Sequence, residues 1–112
     1  MGTLNEDKLT EVVIDLDEIK KGRLDESWLA MFGWQIQVLM RRMFGGAEIP
    51  VSVKGNPREV QAFAKAVGKE KKYIETAKDY GLNDPRTYKS KSLLKKATNS
   101  FEKITGIKWP FK

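Results

Sequence analysis

Residues 25–44 read DESWLAMFGWQIQVLMRRMF, the most apolar stretch of a 112-residue chain. Trp28, Phe32, Ile36, Leu39 and Met43 recur at steps of three and four, the spacing that lines up side chains on one helical face. Leu29, Met40 and Phe44 widen that face, and Ala30, Gln37 and Arg41 leave a narrow polar edge. Asp25 is placed as an N-cap, Glu26 sets negative charge in the first turn, and Phe44-Gly45-Gly46 supplies a glycine stop. One long helix, apolar nearly all round, is therefore predicted, and such a helix is covered on most sides. The run lasts about 13 residues before Arg41-Arg42 and contains Gln35 and Gln37, whereas a membrane span needs roughly 20. No transmembrane segment is expected.

A chain of 12.8 kDa fits one domain with a modest core. It is expected to hide only part of so apolar a helix. Trp28, Phe32, Trp34, Ile36, Leu39, Met43 and Phe44 are accordingly read as a contact surface for other protein subunits, in a homo- or hetero-oligomer.

Working outward, Val12, Ile14 and Leu16 recur at period two and predict a short strand. Residues 1–24 are read as an acidic arm carrying that strand, and residues 25–112 as a single compact helical domain. Beyond the long helix, Ile49, Val51 and Val53 alternate with Pro50, Ser52 and Lys54, a second strand that Pro50 confines to a sheet edge. The two strands are expected to pair, joined through the central helix. Asn56, Pro57 and Glu59 spell a helix start of the capping-box kind. Val60, Phe63, Ala64 and Val67 then form one stripe, while Tyr73, Ile74, Ala77 and Tyr80 centre roughly 100° away around the same helix. This predicts a bend at Gly68 between helices 57–67 and 69–80. A short turn is expected at Asp84-Pro85, and a last helix from Ser90 or Ser92 to Thr105, burying Leu93, Ala97, Phe101 and Ile104. Gly106 caps it, and Ile107–Phe111 is an aromatic tail that folds back onto the core. The fold class is α+β and predominantly helical: one long apolar helix, two or three further helices with a bend near Gly68, and two short strands.

The chain has no cysteine and no histidine, which excludes disulfides, thiolate or imidazole metal ligands, and Ser-His-Asp catalysis. Paired carboxylates at Asp15/Asp17/Glu18 and Asp25/Glu26 are explained by helix capping and solvation. Gly55-Asn56-Pro57 lacks the glycines and lysine of a phosphate loop and reads as a strand-to-helix turn. No catalytic residue, metal or cofactor is expected, so the protein is read as a non-enzyme. The polar, acidic start gives no targeting signal, and a cytoplasmic location is expected.

Charge is divided unevenly. Residues 1–56 hold seven Lys/Arg against nine Asp/Glu, whereas residues 57–112 hold 14 against six, a net of −2 against +8. Lys65, Lys69 and Lys72 form one helical row, Lys89, Lys96 and Lys103 a second at sevenfold spacing, and Lys91 and Lys95 stand beside the second. Such rows suit phosphates, because each neutralised phosphate releases counterions. Arg58 and Arg86 are the two arginines of this half, and arginine is the usual reader of base edges. The basic half is thus expected to meet DNA, RNA or an acidic protein without sequence preference.

Two segments, Tyr80-Gly81-Leu82-Asn83-Asp84-Pro85-Arg86-Thr87-Tyr88-Lys89-Ser90-Lys91 and Phe101–Phe111, resemble small virion or prohead-core proteins of contractile-tail phages. The resemblance implies a non-enzymatic structural component of head assembly, in the virion or the host cytoplasm. The alternative is a non-sequence-specific DNA- or RNA-binding accessory protein.

Overall fold

The structure is a computed structural model that describes residues 11–22, 25–46 and 49–111. The element order is β1 (Val12–Asp15), α1 (Leu16–Lys21), α2 (Glu26–Met43), β2 (Val51–Lys54), α3 (Pro57–Tyr80) and α4 (Pro85–Thr105). β1 and β2 form a two-stranded parallel sheet in the register Val12↔Val51 to Asp15↔Lys54, the pairing expected from their alternation. Among the described residues no helix is long and apolar enough to cross a membrane.

The expected arm is not an arm where the structure describes it. Val12, Ile14, Leu16 and Ile19 are all buried in the same core as α2. Leu16, read as strand, opens α1, because Asp15 ends the strand and caps the helix by accepting from the amides of Asp17 and Glu18. The rest of that arm, residues 1–10 and 23–24, lies outside the described residues.

α2 has the predicted bounds. Asp25 accepts from the Ser27 amide at 2.9 Å. At the other end the Gly46 amide reaches the Arg41 carbonyl and the Gly45 amide that of Arg42, a Schellman motif whose turn residue, Gly45, has φ +83°. The helix is wrapped by its own chain, contrary to the expected shortage of cover. On one side Gln35 Nε2 donates to the Val13 carbonyl of β1 at 3.0 Å. On another, Gly33 is close enough to Pro110 that a Cβ there would touch its ring.

The core centres on four rings, one from each surrounding element: Phe32 of α2, Phe63 of α3, Phe101 of α4 and Trp109 of the tail. Every pair has ring centroids between 5.4 and 6.2 Å apart. The tail is fixed by two carboxylates. Glu70 accepts from the Trp109 indole N–H at 2.9 Å, and Glu102 accepts from the Trp109 amide at 2.8 Å. A buried indole N–H needs such a partner.

α3 is one continuous helix through Gly68, so the predicted division into two helices, 57–67 and 69–80, is absent. The two stripes are one. Phe63, Val67, Glu70, Ile74 and Ala77 follow at steps of three and four, with buried Glu70 supplying the link that an apolar count leaves out. Ala64 and Tyr80, which pulled the stripes apart, are both exposed. α4 likewise begins at Pro85, five residues earlier than the first expected start, because its inner face there is Thr87 and Ser90. Leu93, assigned to that face, is 37% exposed instead.

Gly68 occupies ordinary helix, and a Cβ added there would meet no atom within 4 Å. Gly68→Ala is therefore expected to raise stability by about 0.5–1 kcal/mol, measured by urea unfolding. A destabilised variant would show that α3 does break there.

Candidate functional site

α3 and α4 form a hairpin closed by residues 81–84. Its inner seam is polar near the turn: Thr76 and Ser90 hydroxyls lie 2.9 Å apart, and Thr87 Oγ1 donates to the Gly81 carbonyl at 2.6 Å. These bonds satisfy buried groups and pin the two helices together. Asp84 caps α4, accepting from the Arg86 amide at 2.8 Å, with Pro85 in the first helical position.

On the outside of that seam the helices enclose a groove of about 850 Å³. Lys65, Lys69 and Lys72 line it from α3, and Lys89 and Arg86 from α4. Two carboxylates, Glu75 and Asp79, also reach it, and Glu75 is already paired with Lys71 at 3.1 Å. Among the described residues, none of the four groove lysines has a carboxylate within 4.0 Å. The groove gathers more positive than negative charge, an excess that favours an anionic occupant.

Arg86 is different. Its Nε and Nη2 donate to the two Asp84 carboxylate oxygens at 2.9 and 3.0 Å, and its guanidinium carbon sits 3.4 Å from the centre of the Tyr80 ring. The hydrogen bonds from Arg86 hold the Asp84 carboxyl down at about 2, from an ordinary 3.8, and they push the guanidinium up.

The other expected basic residues are distributed elsewhere. Lys91 and Lys95 line a separate cleft of about 330 Å³ on the far flank of α4, beside Trp109 and Phe111. Lys96 and Lys103 are exposed on α4 but do not line the groove. Half of the eight lysines thus meet in one place. Tyr80 and Arg86 were missed. Two more turns of the row Lys65-Lys69-Lys72 lead through Thr76 to Tyr80, so the spacing that found the lysines also marks the ring.

The expected subunit surface is largely interior. Phe32 and Ile36 are fully buried and offer nothing to a partner. Trp28, Trp34 and Leu39 are half-buried and packed against the core; Trp28 covers Gly22, where any side chain would overlap its indole. Met43 and Phe44 remain, 38% and 42% exposed. Phe44 is flanked by the ammonium groups of Lys71 and Lys78, 5.1 and 5.9 Å from its centroid.

The carboxylates singled out in the sequence are structural. Asp15 and Asp25 are N-caps, and Glu18 pairs with Lys21. Asn56 caps α3 by accepting from the Glu59 amide, but Glu59 does not complete the box. Its carboxylate takes a hydrogen bond from Lys20 at 2.8 Å, which ties α1 to α3 and raises the Lys20 pKa. Among the described residues no three metal-ligating side chains come together.

No family model, curated protein or solved structure matches this chain.

The depressed Asp84 pKa predicts an acid-sensitive hairpin. A carboxylate held below its unfolded value stabilises the fold above about pH 4, and that contribution is lost as pH falls towards about 2. Asp84→Asn is expected to flatten the decline of melting temperature across that window, followed by circular dichroism. An unchanged profile would show that the Asp84–Arg86 pair does not support the fold.

Proposed function

We propose that this protein is a non-enzymatic binding module that holds nucleic acid by its phosphates, without sequence preference, in the α3–α4 groove. The observation that supports this reading is the convergence of Lys65, Lys69, Lys72 and Lys89 from two helices, with no carboxylate among the described residues paired to them. Lysine is a compact charge that attracts phosphate without the forked geometry that reads base edges. Binding of this kind is driven by counterion release and weakens steeply with salt. Partial compensation by Glu75 and Asp79 sets a limit on affinity and leaves room for exchange.

The reading predicts that random-sequence nucleic acid binds at about 50 mM salt, followed by fluorescence anisotropy, and dissociates as salt rises. Reversing Lys65, Lys69, Lys72 and Lys89 to Glu abolishes binding, whereas reversing Lys91 and Lys95 on the far flank costs little. Equal losses from the two sets would refute the groove as the site.

A second reading is an assembly role, which the resemblance to phage head proteins implies. It is favoured by Met43 and Phe44, which stand exposed at the end of α2 beside a cleft of about 680 Å³ walled by Met40, Ile74 and Phe111. It predicts a defined oligomer in light scattering that Phe44→Ala dissociates. A monomer at all concentrations would remove self-assembly through this end.

A further inference from the structure

Resting on the nucleic-acid reading, we infer that the turn end of the groove is a stacking platform for a nucleobase, and that the preferred occupant is single-stranded. Six large apolar side chains are exposed among the described residues, and four of them cluster in sequence at this one hairpin: Tyr80, Leu82, Tyr88 and Leu93. Tyr80 and Leu93 line the groove itself. Phosphate binding alone has no use for them.

Arg86 gives the platform its character. Its charge is already met by Asp84 through two hydrogen bonds, so it is poorly placed to act as one more phosphate hook. What it offers is a flat guanidinium, held by those two bonds with its central carbon over the Tyr80 ring, 3.4 Å from the centroid. A guanidinium held this way presents its plane at little cost in side-chain entropy, and both it and an aromatic ring stack on bases. The groove therefore combines lysines that track a backbone with a planar surface for the base attached to it. Leu93 adds an apolar side chain to the same lining.

Strandedness follows from what each nucleic acid exposes. In a duplex the faces of the bases are buried in the stack and a side chain reaches phosphates and groove edges alone. A single strand turns its base faces outward, and stacking on them tolerates any sequence. The lysines would hold either form; Tyr80 with Arg86 gains from the single strand alone.

The test compares a labelled 20-nucleotide thymidine strand with a random duplex of equal length by anisotropy, using the full chain and its Tyr80→Ala and Tyr80→Phe variants. The single strand is expected to bind at least about tenfold tighter than the duplex. Tyr80→Ala removes most of that margin by weakening the single strand far more than the duplex, and Tyr80→Phe keeps it. Tyr80 is 47% exposed, so circular dichroism should report the same fold in both variants. Equal binding of strand and duplex by the wild type overturns the platform while the phosphate reading stands. So does a Tyr80→Ala variant that weakens both forms alike. A wild type that binds neither form overturns both.

Discussion

Four aromatic rings in mutual contact hold this molecule together. Phe32, Phe63, Phe101 and Trp109 come from three helices and the C-terminal tail, and no two share an element. Burial of each large apolar side chain contributes on the order of 1.5–3 kcal/mol, and ring contacts add about 0.5–1.5 kcal/mol per pair. The cluster thus fixes the relative placement of α2, α3 and α4 at a single point. It also explains why the tail needs two carboxylates: Glu70 satisfies the buried indole of Trp109, and Glu102 its part-buried amide. The surfaces of α3 and α4 turned away from the cluster are left to carry lysine.

Much of this was legible in the residues. The apolar run of α2, its Asp25 cap and glycine stop, the pairing of the two strands and the return of the aromatic tail all followed from spacing and capping chemistry. The failures share a cause, which is that periodicity counts a polar residue as an outward one. Glu70, Thr76, Thr87 and Ser90 are polar and buried, each with a hydrogen-bond partner. Leaving them out broke α3 in two and shortened α4. The same accounting overestimated the exposed share of α2, because β1, α1 and the tail were not credited with covering it. Which faces are covered is a tertiary fact, and no local pattern contains it.

The groove was half legible for a related reason. Rows of lysine on each helix are visible in sequence, but which rows face one another depends on how the hairpin closes. Lys65, Lys69 and Lys72 meet Lys89, while Lys91 and Lys95 turn to the opposite flank. Tyr80 looked like a core residue because it is aromatic and sits in a helix, yet it ends the lysine row on the outside. The tie between Arg86 and Asp84 spans two residues across a helix start, a distance at which side chains do not ordinarily face each other along a helix.

The two walls of the groove are consecutive helices joined by a short turn, so their mutual contacts are close along the chain. Contacts of that kind close short loops and cost less chain entropy than the pairing of β1 with β2, whose partners lie 39 residues apart at every register position. An occupant of the groove would bridge those two helices, and its binding energy would be returned as resistance of that pair to local opening.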